Sequence, residues 1–583
     1  MTSVSPRPCF TPMISAFPPF PSVRAFVRRG ARFACALALV IPLNADPVTD
    51  PFQPAPPPSA SAAANAPKLP DLAPIPSPEG PVGFSIDLTR RRQTIENFGA
   101  SDAWHSDIVG RTWPEADKRE VARLLFSTEL DSAGRPRGIG LTLWRFNIGA
   151  GSAEQGDASG IAPMGHGPGP TRVECFLKPD GTYDWTKQAG QRWFLQAAKS
   201  FGVQQFIAFA KSPPVQFTRT GKAQNDNQPR ANLKEEHYGD FARFLGEVVQ
   251  HFRDHEGISF RYLSPINEPQ WLWSGGKQEG SPYTNAEMAR VARLLDGELR
   301  RRGLATEVQI SEAGDLRFVY GARDNHADRQ AHAFFDPASP HHLGDLPSLS
   351  RTFAAHGYFS DGHPAEFLEV REKFRAELDK YGLKYAMTEY CLLRDGLGKT
   401  TRNRPIPPID SALQLGRIIH SDLAVADAVS WQFWTAMDTQ RDPTTGLRYY
   451  LIERSLDRVH YRPNKLLWTL GHYSRFIRPG YVRVETARTD GLDDVTAGDR
   501  ELVSAYLSPD ADELVVVAVN WRPHAVPLRL TLAKAGKTSP VPAGRVYVTT
   551  GDPDTNLDPR AIPEGGAFTL EPRSLATFVL PLR

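Results

Sequence analysis

The chain has 583 residues, with 68 Lys+Arg against 66 Asp+Glu and a formal net charge of +2, so no electrostatic case exists for a nucleic-acid partner. No basic run suggests a membrane surface, and neither nucleic acid nor membrane is expected as a partner. Hydrophobic residues make up 40% and aromatics 10%, ample for packed cores in a length that allows two or three domains.

Residues 1–45 contain Arg7, Arg24, Arg28, Arg29 and Arg32 and no acidic residue. The apolar run FACALALVIPL (33–43) follows, then a small residue at Ala45. This order reads as a secretory signal peptide, with secretion or a periplasmic location as the consequence. The apolar run is too short for a membrane span, which needs about 20 residues. The competing reading is a disordered or mis-started N-terminus, and Arg28-Arg29 hints at a twin-arginine route. Residues 46–81, typified by PAPPPSASAAANAPKLP (54–70), carry too little apolar surface to fold and are expected to form an extended Pro/Ala-rich linker. Beyond Cys9 and Cys35 in the presequence, only Cys175 and Cys391 remain. They offer no disulfide framework and no zinc spacing; the choice lies between one long-range disulfide and two buried thiols, with thiols favoured.

From residue 95 the chain alternates short β-rich runs with amphipathic stretches. The runs are IENFGASDAW (95–104), LTLWRFNIGAG (141–151), QFIAFAKSPP (205–214), FRYLSPINEP (260–269), EVQISEAGD (307–315), TFAAHGYF (352–359), KYAMTEYC (384–391) and AVSWQFWTA (428–436). Stretches such as 115–130, 238–255 and 285–303 place apolar residues at i, i+3, i+4 and i+7, the pattern of helices with one buried face. Eight β/α units are what a (β/α)8 barrel requires, and no Gly-rich phosphate loop follows the first run. A barrel over 95–474 is therefore expected. After about residue 475, short strands separated by Pro, Gly and Asp turns read as an antiparallel β-sandwich. GFSIDLTRRRQ (83–93) alternates in the same way, so the side domain is expected to combine 82–94 with 475–583.

Several barrel runs start apolar and end polar, at Asn147, Lys211, Glu268, His356 and Glu389. In a barrel these ends converge on one face, where active sites are built. Glu268 at the end of the fourth run and Glu389 on the seventh supply paired carboxylates, the minimum machinery of glycoside hydrolysis. Either glutamate alone reads better as a member of a structural ion pair; together at two strand ends they point to chemistry. Arg145 and Tyr358 are placed to hold Glu389 ionised, while Glu268, beside Asn267 and aromatics, is placed to keep its proton. Asn267 suits a sugar 2-OH.

The motifs SPINEPQW, MTEYC, WQFWTA, GLRYYLI and LWTLGHYSRFIRPGYVRV, with IENFGASDAW and LTLWRFNIGAGS, resemble glycoside hydrolase family 30 of the retaining clan A barrels. The likeness runs from about residue 84 to the C-terminus and is nearest to the endo-β-1,6-galactanase group. It implies Glu268 as acid/base, Glu389 as nucleophile, a carboxyl separation of about 5–5.5 Å, and no metal or cofactor. His356 and His105 are expected to make sugar or backbone hydrogen bonds. Trp104 and Trp434 are candidate sugar platforms, since C–H faces of sugars stack on indole. Trp271 and Trp273 divide evenly between platform and loop packing, and Trp431 reads as core. Asp102 joins the candidate substrate contacts; Lys211 is either a substrate contact or a salt-bridge partner.

The expected function is a secreted, monomeric, retaining endo-β-1,6-galactanase acting on a polysaccharide or oligosaccharide. The alternatives are the same chemistry on xylan, β-1,6-glucan or another β-glycoside, and a non-catalytic carbohydrate-binding protein. Retention of both carboxylates and Arg145 weighs against the last.

Overall fold

The computed structural model describes residues 80–162, 171–393, 407–439, 449–455, 458–534, 536–563, 565 and 567–582. The expected signal peptide, and all but the last two residues of the expected linker, lie outside the described residues.

Each of the eight β-rich runs contributes one barrel strand. In chain order these are Asn97–Ser101, Leu143–Ile148, Gln205–Ala210, Tyr262–Ser264, a fifth in two pieces (Glu307–Val308 and Ser311–Ala313), Thr352–His356, Lys384–Tyr390 and Ala428–Phe433. All neighbours run parallel. The ring closes because the eighth strand pairs with the first, while the two pieces of the fifth pair with the fourth and the sixth. Nearly every strand residue is buried, as expected of parallel strands covered by helices outside and filled by side chains inside.

The covering helices follow from their sequences. In Tyr238–His255 the residues Phe241, Leu245, Val248, Val249 and Phe252 fall on one face and all are buried. Burial of each contributes about 1.5–3 kcal/mol relative to exposure. Asn285–Arg301 starts at a capping box, in which Thr284 Oγ1 accepts from Glu287 N (3.2 Å) and Thr284 N donates to Glu287 Oε2 (2.8 Å). Pro364 and Pro408 open two further helices, where a missing N–H costs nothing.

The side domain departs from the purely antiparallel expectation. Its ten strands form one hydrogen-bonded sheet that includes a parallel seam. The strand Val82–Thr94 inserts between two C-terminal strands, antiparallel to Val482–Arg488 and parallel to Val526–Lys534. A strand arriving from the other end of the chain is not bound by hairpin geometry, so either direction is open to it. Strand Glu513–Asn520 explains the docking of this domain on the barrel. Leu514, Val516 and Ala518 face the domain's own core with Val82, Phe84 and Ile86, whereas Val515 and Val517 join the barrel core. A polar tie reinforces the seam: buried His472 of helix Lys465–Ser474 lies between Thr577 Oγ1 (2.8 Å) and Thr549 Oγ1 (2.9 Å). Cys175 and Cys391 are both buried and unbridged. Among the described residues no helix is long and apolar enough to cross a membrane.

Candidate active site

The parallel barrel aims the carboxyl ends of its strands at one mouth, and there the two glutamates meet. Glu389 lies on the seventh strand and Glu268 on the turn after the fourth, with a left-handed backbone (φ 47°). That backbone is tied down: Glu268 N donates to Glu312 O (2.8 Å), while its carbonyl accepts from Trp271 N (3.2 Å) and Trp273 Nε1 (3.0 Å). Trp273 is thus buried support for the turn.

The two carboxylates have different neighbours. Arg145 Nη1 donates to Glu389 Oε2 (2.7 Å) and Tyr358 OH donates to Glu389 Oε1 (3.1 Å). Arg145 Nη2 also donates to Asn267 Oδ1 (3.4 Å), and the guanidinium lies 3.7 Å from the centre of the Phe209 ring. Glu268 Oε1 faces His356 Nδ1 at 2.9 Å. Burial is the largest influence on both carboxyls and would raise both. For Glu268 it prevails and the proton is held more tightly than usual, despite the nearby imidazole. For Glu389 the charges of His356, Arg145 and Lys211 outweigh it, so its carboxyl stays below the usual range. The two carboxyls of one site are thus shifted in opposite directions, Glu268 toward holding its proton and Glu389 toward giving it up.

His356 departs from the expected sugar or backbone contact. It is fully buried, and its Nε2 faces Glu312 Oε2 at 3.0 Å while Nδ1 faces Glu268. Burial alone would lower its pKa, but the carboxylates of Glu389, Glu268 and Glu312 push it up to about 9, so the ring is charged and both nitrogens donate. An oxygen of Glu268, a nitrogen of His356 and an oxygen of Glu389 lie within 4.8 Å of one another, close enough to share a metal ion. The charges of Arg145 and Lys211 beside them, and the hydrogen bonds among them, are those of an ion-pair network.

Glu312, at the end of the fifth strand, escaped the sequence reading. Burial would raise its carboxyl, yet Arg145, His356 and Ser264 hold it at about 2. The signal was available as one more acidic residue near a strand end, in ISEAGD.

The model for O-glycosyl hydrolase family 30 matches residues 81–449. The chain belongs to that family. An endo-β-1,6-galactanase of Hypocrea rufa is 27% identical over 244 residues, 39% of this chain, and the match spans about half (49%) of that relative's length. A conserved exported protein from Bacteroides fragilis is 33% identical, with 85% of this chain and 100% of that one covered at a TM-score of 0.77. The catalytic domain of a xylanase C from Talaromyces cellulolyticus, 21% identical with 85% and 99% covered and a TM-score of 0.58, shares the fold.

Around the carboxylates of this family 30 chain, Trp104 and Trp434 meet edge to face at 5.2 Å. Lys211 Nζ lies 4.5 and 4.1 Å from their ring centres and donates to Gln278 Oε1 (2.8 Å). Burial brings Lys211 down to about 8. Trp271 is half-buried, its ring edge-on to Phe318 (5.7 Å) and Phe359 (5.9 Å). Trp431 is core, donating to Asp422 Oδ2 (2.9 Å). Two residues serve as scaffold. Asp102 is fully buried, its oxygens accepting from Asn147 N (3.0 Å) and Gln191 Nε2 (3.0 Å), so its carboxylate is engaged by the protein rather than turned to a substrate. His105 bridges Asp438 (3.2 Å) and Arg454 (2.8 Å).

Proposed function

We propose that this chain is a retaining endo-β-glycosidase that hydrolyses β-1,6-linked galactan by double displacement. The observation that carries the mechanism is the spacing of Glu268 and Glu389, an oxygen of each within 4.8 Å, together with their opposite proton affinities. Retaining enzymes hold their carboxyls about 5–5.5 Å apart, and inverting ones leave about 6.5–9.5 Å for a water. In the first step Glu268 protonates the leaving oxygen while Glu389 attacks C1 and forms a glycosyl ester; in the second, Glu268 takes a proton from water, which displaces Glu389. Arg145 and Tyr358 hold Glu389 for attack. With its oxygen committed to Arg145, Asn267 offers its NH2 to the sugar 2-OH. Trp434, Trp104 and Trp271 are the aromatic faces for sugar rings.

Galactan is supported by the partial likeness to a galactanase. The basic stretch and apolar run of residues 1–45 support an exported protein. Digestion of β-1,6-galactan, xylan and β-1,6-glucan side by side, with the nascent anomer read by proton NMR, tests the reading. Galactan oligosaccharides released first as β anomers are expected. Preference for another polymer overturns the substrate, and an initial α anomer overturns the mechanism.

A further inference from the structure

Glu312 is wholly buried, yet it touches four other barrel strands. Ser264 Oγ, at the fourth strand, donates to its Oε1 (2.5 Å), and Arg145 Nη2 of the second lies 3.6 Å from the same oxygen. His356 Nε2, on the sixth, is 3.0 Å from Oε2, to which Thr388 Oγ1 of the seventh also donates. Its carbonyl accepts from Glu268 N (2.8 Å).

These contacts dictate where two other groups point. An imidazole with Nε2 fixed on one carboxylate presents Nδ1 to the opposite side, where Glu268 Oε1 stands at 2.9 Å and Glu389 Oε1 at 3.8 Å. A guanidinium with Nη2 toward Glu312 presents Nη1 to Glu389 at 2.7 Å. Among the described residues, the groups facing His356 are thus three carboxyls and the Tyr358 ring (5.8 Å, edge-on), and the imidazole is fully buried among them.

We propose that Glu312 is a positioning residue for the hydrolytic reaction: through His356 it orients the Glu268 carboxyl, and through Arg145 it orients Glu389, without touching the sugar. The proposal rests on the functional reading above. A glutamine at 312 keeps the shape and can still accept from Ser264, but its NH2 would oppose the His356 Nε2–H. The imidazole must then lose that proton or turn, and its hold on Glu268 changes.

The test is a double-mutant cycle of Glu312→Gln and His356→Asn, on whichever polymer of the panel the native enzyme cuts fastest. General acid–base help is worth about 10²–10⁴-fold, and a positioning partner is expected to control part of it. Glu312→Gln should lower kcat about 10- to 100-fold with KM within about twofold, because substrate contacts are untouched. The double variant should lose clearly less than the product of the two single losses, the remainder being what Glu312 does through Arg145. Losses that multiply independently, native kcat in Glu312→Gln, or a loss confined to KM would each overturn the proposal. If Glu312→Gln does not fold, Ser264→Ala, which removes an orienting hydroxyl, takes its place in the same cycle with a smaller expected loss. A native enzyme that cuts none of the polymers overturns the functional reading and this proposal together; additive variants of an active enzyme overturn this proposal alone.

Discussion

A single methyl group at Gly314 should disable proton donation by Glu268. A Cβ there would stand 2.6 Å from the Gln270 amide and 2.7 Å from both Glu268 Oε1 and Trp271 Nε1. Carbon contacts are comfortable at about 3.5–4.0 Å, so each group must retreat by roughly 1 Å. Two of the three cannot retreat freely. Glu268 is held by His356, and Trp271 is wedged against Phe318 and Phe359. Overpacking of this kind costs about 1–3 kcal/mol of stability, which a domain of this size tolerates while remaining folded. Displacing a catalytic group by about 1 Å costs on the order of 10²-fold in rate. The assay compares kcat of Gly314→Ala on polymer with its rate of glycosyl-enzyme formation from an aryl glycoside whose leaving group needs little acid help. A loss of about 100-fold on polymer and a much smaller one on the aryl glycoside is expected. A folded Gly314→Ala enzyme with native kcat on polymer would refute the reasoning, because Glu268 would then not be the proton donor held in this place.

Arg145→Gln removes one of the charges that hold Glu389 below the usual carboxylate range, so its proton is lost only at higher pH and the acid limb of kcat/KM should move upward. The same change takes one buried cation from Glu312 and Glu389 and leaves them to His356, and thermal unfolding should register about 3–5 kcal/mol of destabilisation. Added azide should give a β-glycosyl azide with Glu268→Ala and an α-azide with Glu389→Ala; finding the anomers exchanged would swap the two roles. A chain beginning at Gly80 should fold and act normally, whereas one beginning at Ile95 loses the strand that joins Val482–Arg488 to Val526–Lys534 and should be insoluble. Soluble, active protein from the shorter chain would refute that.

Periodicity alone determined the barrel of this protein. Eight β-rich runs with amphipathic stretches between them admit few closed arrangements, and parallel pairing then carries Glu268 and Glu389 to the same mouth, 121 positions apart in the chain. Side-chain chemistry at the strand ends was equally legible, because a carboxylate, an arginine or an amide at the end of an apolar run is expensive to bury without partners. What the linear order could not carry is who partners whom. His356 reads as one histidine at a strand end, and only the folded barrel sets Glu312, 44 positions earlier, against one nitrogen and Glu268 against the other. Asp102 looks like a substrate ligand until the fold spends its oxygens on Asn147 N and Gln191. The parallel seam of Val82–Thr94 was likewise hidden, since alternation reports which face of a strand is buried but not which way its neighbour runs. Local pattern is set by near neighbours along the chain; contacts across a barrel interior join residues whose separation in sequence bears no relation to their separation in space, and the burial and charges assembled there divide the proton affinities of the two glutamates.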